Sequence, residues 1–417
     1  MTAAAVLLAA DHVAGTVDLL DLPGGRPLAR LTGRHLSEHA GFLTLPGDRV
    51  ACVDDRAGEL LVLAPFEAAR GGALVAAAAP VAVPAEQLAA DPDGRFLVVT
   101  TGLGAAAEPW SDLLTAVDLA APGGPYAVRT RTRAGEPGVT VLDGGRADGP
   151  LAVLRHREPG SLDLHSLAGL LAAAPGCPVV TPRTRLPLPD DGHGDAHDPV
   201  TGYLFTATGS GVHRARRSGG GLAAAPPLSW AADGRAGGRG YFLRIDARHR
   251  LLWSCLRGGP AGPADWPAWT NDAWWHHLDT GRTGRIGLGE GLVFRMAVAA
   301  DHVAYARCHP DGDELVLLAT GDGAPRISAR VPLPPMAGAP RRGRTPWDDG
   351  AQRRAVAASP GAPWVAVSRG GHGEVHLFDA ASGTERARLA LPGPLDEGGR
   401  LALLTPGDGA HRDPAGR

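Results

Sequence analysis

The stretch of sequence with the clearest chemical potential is Asp190–Asp198, which reads Asp-Asp-Gly-His-Gly-Asp-Ala-His-Asp. If this segment is extended, His193, Asp195 and His197 share one face, with adjacent members about 6.6 Å apart. Two of them could then converge on one ion at Zn–N distances of about 2.0–2.1 Å. Histidine and carboxylate ligands favour Zn, Mn or Fe over Ca. The pattern therefore predicts a divalent transition-metal site, against the alternative of a hydrophilic loop of turn-forming residues.

Three further residues extend the predicted metal set, because each precedes an apolar segment that is expected to be an inner strand. They are His39, Glu86 and Glu136. Side chains at these positions would meet around a common axis. The alternative is that they are structural residues, which cap strands by hydrogen bonds and line a wet channel.

A second group of side chains is typical of a surface that binds a ligand or a partner. Trp266 and Trp269 lie between two predicted strands, where an exposed indole is costly unless it contacts something. The alternative is a loop folded back on its own strands. The arginine-rich run Arg341–Arg354 is interpreted as a solvated linker. The predicted ligand- or partner-binding residues are Trp110, Trp266, Trp269, Arg239, Arg295 and Arg354.

The composition excludes several kinds of chemistry. All 41 basic residues of the 417 are arginines, a bias that indicates a GC-rich genome. Without lysine there is no Schiff-base nucleophile, pyridoxal-phosphate anchor or Walker-type phosphate loop. The net charge of −3, with both signs interspersed, gives no reason to expect nucleic acid or an anionic membrane as a partner. The sequence also contains no nucleophile elbow, CxxC pair or HExxH helix.

The cysteines and the amino-terminal segment favour a cytoplasmic location. Cys52, Cys177, Cys255 and Cys308 are far apart and form no paired motif, as expected in a reducing compartment. The first residues lack the basic region of a signal peptide, and their apolar run is short. We therefore expect a cytoplasmic protein.

The elements that must position these residues are hairpins that recur along the chain. Each consists of a short apolar strand, a Gly- or charge-rich turn and a second apolar strand, and the clearest is Trp364–Asp379. Eight copies spaced by about 50 residues indicate a β-propeller of four-stranded blades. Seven blades remain the alternative, if Gly192–Trp230 is an insertion. The other copies are Val6–Leu20, Arg49–Leu63, Phe96–Leu119, Leu151–Leu164, Tyr203–Arg214, Leu251–Asp279 and His302–Leu318.

The two ends of the chain predict how the ring closes. Val6–Leu20 lacks a preceding inner strand, and Gly399–Leu404 could supply it. Joining both ends in one blade removes free sheet edges. We therefore predict an all-β fold with a single closed propeller over residues 1–405, followed by a disordered tail over residues 406–417.

The repeat carries a resemblance to a known superfamily. Glu374–Glu385, with a strand ending at Asp379 and a small-residue turn, resembles the repeat of the YVTN and WD40-like β-propellers. Asp118–Gly124 and Asp279–Gly284 are similar, and Asp91–Val99 resembles the inner-strand turn of that superfamily. The resemblance implies the fold and little chemistry, because propellers serve as scaffolds and as enzymes.

Propeller topology gathers the candidate residues on one face. Segments that lead into the innermost strands emerge on the same face as the turns between second and third strands. We therefore predict a binding or scaffold protein that presents this top face and an axial funnel to a protein, a peptide or a small molecule. The alternative hypothesis is a metal-assisted lyase or hydrolase, with the metal as Lewis acid.

Overall fold

A computed structural model describes residues 5–104, 110–321, 323–348 and 350–408. Within these ranges the chain forms eight antiparallel sheets, seven with four strands and one with five. The predicted fold class and the favoured count of eight blades are confirmed. No helix among the described residues is long and apolar enough to cross a membrane.

The first four blades follow the chain from its amino-terminal end. Blade 1 contains β1 (Ala5–Asp11), β2 (Thr16–Leu22), β3 (Pro27–Thr32) and the last strand, β33 (Arg400–Leu404). Blade 2 contains β4 (Leu43–Leu45), β5 (Arg49–Asp54), β6 (Glu59–Leu63) and β7 (Val75–Pro80). Blade 3 contains β8 (Ala85–Ala90), β9 (Phe96–Thr101), β10 (Asp112–Asp118) and β11 (Tyr126–Thr132). Blade 4 contains β12 (Gly138–Leu142), β13 (Leu151–Arg157), β14 (Gly160–Ser166) and β15 (Thr184–Pro187).

The other four blades complete the ring. Blade 5 contains β16 (Asp195–Asp198), β17 (Tyr203–Ala207), β18 (Val212–Ser218) and β19 (Gly221–Leu228). Blade 6 contains β20 (Arg239–Gly240), β21 (Arg244–Asp246), β22 (Leu251–Gly258), β23 (Thr270–His277) and β24 (Thr283–Glu290). Blade 7 contains β25 (Leu292–Val298), β26 (His302–Cys308), β27 (Asp313–Ala319) and β28 (Arg326–Leu333). Blade 8 contains β29 (Val356–Ala358), β30 (Trp364–Arg369), β31 (Glu374–Asp379) and β32 (Glu385–Ala390).

Helical structure in the described residues is confined to short connections. The α-helices are α1 (Pro65–Ala68), α2 (Gly145–Asp148) and α3 (Leu167–Leu171), and two 3-10 turns cover Pro263–Ala268 and Asp396–Gly398. The segment 192–230, which the seven-blade alternative treated as an insertion, contains the four strands of blade 5. That alternative is therefore wrong.

The ring closes as the sequence predicted. β33 pairs antiparallel with β1, with Val6 opposite Leu404 and Ala10 opposite Arg400. The carboxyl-terminal strand thus becomes the innermost strand of blade 1, and no inner edge of that blade is left open. Beyond β33, Asp408 accepts a hydrogen bond from the Ser359 hydroxyl at 2.7 Å. Of the predicted tail, residues 409–417 lie outside the described residues.

The core lies between adjacent blades, because each strand turns alternate side chains to opposite faces of its sheet. Leu8 and Leu19 of blade 1, for example, pack with Cys52 and Leu61 of blade 2, and all four are fully buried. Burial of each such leucine stabilises the fold by about 1.5–3 kcal/mol. Blade-on-blade packing therefore fixes the ring, and the loops of the top face are carried by rigid strands.

Candidate functional site

The top face contains an axial funnel with a volume of about 540 Å³. Its wall is built mainly by segments that lead into the inner strands, as the topology predicted. Those segments supply Glu38 and His39, His193, Tyr241 and Phe242, Trp347 and Arg353, and Glu397. Arg257, at the end of β22, and Phe294 and Arg295, on β25, complete the side facing blades 6 and 7.

A lower chamber of about 630 Å³ continues the funnel along the axis. The two spaces share Arg295, Met296 and Arg400 in their walls. The lower wall is formed largely by the inner strands of blades 6, 7, 8 and 1. The two shared arginines therefore lie between the two spaces.

An ion-pair network occupies the side of the funnel near blades 8 and 1. Arg353 contacts Glu38 at 3.2 Å and Glu397 at 2.9 Å. Arg400, which is buried, lies 3.7 Å from Glu38. His12, in the turn between β1 and β2, has its Nε2 3.5 Å from Glu397. The two glutamates are thus each paired with at least one arginine.

The pKa values in this network follow from burial and from the neighbouring arginines. Burial alone would raise the pKa of Glu38, but the charges of Arg353 and Arg400 hold it below the ordinary value. Burial lowers the pKa of Arg400 to about 10. Burial and the charge of Arg400 lower the pKa of His12, which keeps its ring neutral at pH 7. The network therefore contains two carboxylates, two guanidiniums and a neutral imidazole.

His12, Glu38 and Glu397 also meet a geometric condition for metal binding. One potential ligand atom of each lies within 4.8 Å of the others. The charges do not fit an ion there, because Arg353 already pairs with both carboxylates. A divalent cation at this point would have to displace the guanidinium against like-charge repulsion. The group is better described as a structural ion-pair network.

Arg257 lines the funnel at the end of β22, and aromatic rings surround it. Its guanidinium carbon lies 4.3 Å from the centre of the Trp269 ring, 4.9 Å from that of Tyr241 and 5.9 Å from that of Trp347. No described carboxylate forms a salt bridge with it, and its buried Nε has no hydrogen-bond partner. Burial lowers the pKa of Arg257, yet an arginine remains charged at neutral pH. This wall therefore carries a cation stabilised by π faces and not by an anion.

A β-bulge places a second arginine, which has no salt bridge to a described carboxylate, in the wall of the same funnel. In the pairing of β25 with β26, Val293 faces Arg307 and Arg295 faces Ala306, so Phe294 is an extra residue. Strict alternation would send Phe294 and Arg295 to opposite faces, whereas the bulge lets both line the funnel. The Arg295 guanidinium lies 4.8 Å from the centre of the Phe294 ring, with no salt bridge to a described carboxylate.

Trp347 is the large apolar side chain of the funnel wall that remains exposed. It is 42% exposed, although its ring stacks on Trp269 with centres 5.6 Å apart and planes inclined by 30°. It lies in the arginine-rich run that the sequence interpretation treated as a solvated linker. That interpretation fits the exposed Arg341 and Arg342, but it is wrong for Arg353, which pairs inside the funnel.

The structure does not bring His193, Asp195 and His197 together around one point. His193 lies against Tyr241 with ring centres 5.4 Å apart. Asp195 accepts hydrogen bonds from Arg155 Nε at 2.7 Å and from the Thr206 hydroxyl at 2.8 Å. Burial lowers the pKa of His197 to about 4. Of the three, only Asp195 and His197 lie on a strand, β16. Asp195 is held by Arg155 of blade 4 and by Thr206 of its own blade.

Of the other three predicted metal ligands, two contact each other and the third pairs with an arginine. Glu86 is buried and lies 3.3 Å from Nδ1 of His39, whose side chain is exposed. Glu136 pairs with Arg157 at 2.9 Å. Metal ligands must converge on one point. Among the described residues, the group that does so is His12, Glu38 and Glu397.

The predicted binding residues differ in where the structure places them. Trp266 and Trp269 are 1% and 3% exposed, so the loop is folded back as in the alternative that the sequence left open, but it packs on Leu292 and Cys308 of the neighbouring blade 7. Arg354 is buried and donates to Asp313 at 2.7 Å and to the Ser368 carbonyl at 3.2 Å. Arg239 lies over Tyr241 at 5.0 Å and donates to the Asp191 carbonyl at 2.6 Å. Trp110 is exposed.

Sequence reasoning missed several residues of the funnel. Arg257 and Trp347 are 90 positions apart in the chain, and neither belongs to a short motif. His12 and Glu397 meet because the chain termini share blade 1. Arg257 could have been found from the sequence, because it is a charged residue at the end of a largely apolar strand. That strand ends at the turn that was predicted to lie on the top face.

The fold defines the class: the chain is a closed eight-bladed β-propeller. Apo AztD from Citrobacter koseri is similar in structure, at 12% identity and a TM-score of 0.61, over 96% of this chain and 98% of that one. Dihydro-heme d1 dehydrogenase NirN in complex with DHE is similar at 17% identity and a TM-score of 0.59, over 98% and 76% of the two chains. These likenesses concern the fold alone. No protein-family model and no curated protein matches the sequence.

Proposed function

We propose that this propeller is a binding protein that takes a small organic anion in its axial funnel. One observation carries the proposal: Arg257 and Arg295 face the funnel and form no salt bridge with a described carboxylate. A buried or half-buried cation is costly without a counter-charge, so an anionic ligand would supply the missing partner. The space of about 540 Å³ is within the range of small-molecule sites.

The balance of charge around the funnel supports the same proposal. Its wall holds four arginines and two glutamates, so it is positive when both histidines are neutral. A concave wall of one sign concentrates counter-charged ligands and speeds their arrival. Arginine also presents a planar fork of donors that suits a carboxylate or a phosphate.

The scaffold version of the hypothesis has less support. It relied on Trp266 and Trp269 as surface anchors, and both are buried against Leu292 and Met336. A concave funnel with unpaired cations is better suited to bind a small molecule than to bind the flat surface of a protein partner. The similar NirN structure is described as a complex with DHE, which is consistent with ligand binding by this architecture.

We also propose that the blades are related to the YVTN and WD40-like repeats. The turn after β31 supports this relationship, because Asp379 at the end of the strand accepts a hydrogen bond from the Ser382 backbone N–H at 2.9 Å.

Calorimetric titration with two probes of opposite charge tests the proposal. We expect 2-naphthoate to bind and 2-naphthylmethylammonium not to bind. Arg257→Gln and Arg295→Gln should each weaken 2-naphthoate binding by about 10- to 100-fold, the range of a charge-assisted hydrogen bond of about 1.5–3 kcal/mol. Arg70→Gln is the matched control, because Arg70 is exposed on the connection between β6 and β7, on the opposite face. Equal binding of both probes, or equal loss in all three variants, would contradict the proposal.

The metal-assisted alternative has a single observation in its favour, the convergence of His12, Glu38 and Glu397. Zinc titration of tag-free protein separates it from the anion site. Stoichiometric zinc that is lost in His12→Ala would support a metal centre. A protein that binds no zinc and shows an unchanged melting curve would eliminate it.

A further inference from the structure

We infer that the anion taken by the funnel carries its acid group on a flat conjugated ring, and that Trp347 is the surface on which this ring stacks. The inference rests on the proposed function, because it assigns the class of ligand for the same site. It depends on a separate feature, the exposed indole, and it can fail while anion binding holds.

The exposure of Trp347 is the first step. An indole that is 42% exposed leaves a large apolar area in water, which is unfavourable for a residue of this size. One side of the ring is covered, since Trp269 stacks on it. Trp347 also lines the funnel. A ligand in the funnel can therefore cover the rest of the indole and extend the stack from two rings to three.

The position of Arg257 fixes where the acid group lies relative to that stack. Its guanidinium carbon is 4.3 Å from the centre of the Trp269 ring and 5.9 Å from that of Trp347. A carboxylate paired with Arg257 has its oxygens about 2.7–2.9 Å from the guanidinium nitrogens. A ring bonded directly to this carboxylate can reach Trp347 at the centre separations of about 4.5–7 Å that are typical of aromatic pairs. Acid and ring are thus recognised by adjacent groups.

The aromatic character of the wall is the second step, because it favours a flat ligand over a saturated one. Tyr241 lies 4.9 Å from Arg257, and Phe294 lies against both Arg295 and Arg353. Rings gain from stacking beyond the area that they bury, which corresponds to about two- to tenfold in affinity per pair. A saturated acid of the same size and charge lacks this gain.

Two acids of equal charge and similar size test the inference, 2-naphthoate and trans-decahydro-2-naphthoate. We expect the unmodified protein to bind 2-naphthoate about two- to tenfold more tightly, although the saturated acid is the more hydrophobic of the two. Trp347→Leu should remove this preference and still bind the saturated acid, and Trp347→Phe should restore most of it. Tyr126→Leu is the control, because Tyr126 is an aromatic residue that is 52% exposed on β11, the outermost strand of blade 3, away from the funnel. The melting temperature of each variant shows that it is folded.

The outcomes separate the two proposals. Equal affinity for both acids in the unmodified protein, or a preference that survives Trp347→Leu, would overturn the inference and leave anion binding intact. Failure of both acids to bind would overturn the proposed function itself. A preference that is lost in Tyr126→Leu would place the stacking surface elsewhere and also overturn the inference.

Discussion

The guanidinium carbon of Arg257 lies 4.3 Å from the centre of the Trp269 ring, and no described carboxylate pairs with this cation. In the same funnel, Arg353 and Arg400 are compensated by Glu38 and Glu397. The funnel therefore contains arginines with carboxylate partners and arginines without them. A cation held by rings alone is available to a ligand without first breaking a salt bridge, which is why we place the anion there.

If Arg257 serves a ligand, it should cost stability in the free protein. We predict that Arg257→Met raises the free energy of unfolding by about 1 kcal/mol, because an apolar side chain of similar length replaces a partly desolvated charge. The same change should weaken 2-naphthoate binding by about 10- to 100-fold, as for Arg257→Gln. Urea denaturation and calorimetric titration measure the two effects. A variant that is less stable than the unmodified protein would show that the cation serves the fold.

The ion-pair network around Glu38 should stabilise the fold, so removing one of its charges should lower the free energy of unfolding. Glu38→Gln removes the carboxylate nearest the buried Arg400. We predict a loss of about 2 kcal/mol in the free energy of unfolding, since a buried charge loses its partner. The affinity for 2-naphthoate should rise, because the funnel becomes more positive. Urea denaturation and titration test both, and unchanged stability together with weaker binding would argue against this description of the network.

Buried histidines make the stability depend on pH. Burial lowers the pKa values of His156 to about 3 and of His165 and His276 to about 4. Below pH 6.5 the unfolded chain binds protons that the folded chain does not, so the free energy of unfolding falls as the pH drops from about 6.5 toward 4. For His165 the loss reaches at most about 3 kcal/mol at pH 4, at about 1.4 kcal/mol per pKa unit.

Melting curves between pH 7.5 and pH 4.5 check this dependence. His165→Gln should reduce the slope of stability against pH. His372→Gln is the control, because His372 is exposed on the turn after β30. Identical slopes for the two variants would refute the assignment to the buried ring.

The shared blade should be essential for folding. A chain that ends at Gly399 lacks β33 and leaves β1 with an open edge. We predict loss of the cooperative unfolding transition and aggregation, as seen by calorimetry and light scattering. A chain that ends at Asp408 keeps β33 and the hydrogen bond to Ser359, and it should melt like the full chain. A soluble, cooperatively melting protein that ends at Gly399 would contradict the role of β33 in closure.

The fold could be predicted from local patterns, whereas most of the site could not. Hairpins such as Trp364–Asp379 show in their alternation and turn residues, and the missing partner of Val6–Leu20 pointed to Gly399–Leu404. These signals act over short distances or at the chain ends. They were sufficient for the class of fold, the number of blades and the location of the common face.

The site depends on contacts between remote segments. Arg257, Tyr241 and Trp347 meet only because blades 6 and 8 face one axis. The bulge that turns both Phe294 and Arg295 into the funnel has no glycine or proline to mark it. Arg353 and Arg354 are neighbours in sequence, yet one faces the funnel and the other is buried against Asp313. A single sequence gives no means of telling these two apart.

A crystal structure with 6-bromo-2-naphthoate is the most direct test of anion binding in the funnel. Anomalous scattering from bromine locates the ligand without ambiguity. We predict one bromine position inside the funnel, with a carboxylate oxygen within about 2.7–3.2 Å of a guanidinium nitrogen of Arg257 or Arg295. Bromine bound elsewhere on the protein, or a funnel that stays empty at saturating ligand, would contradict the account.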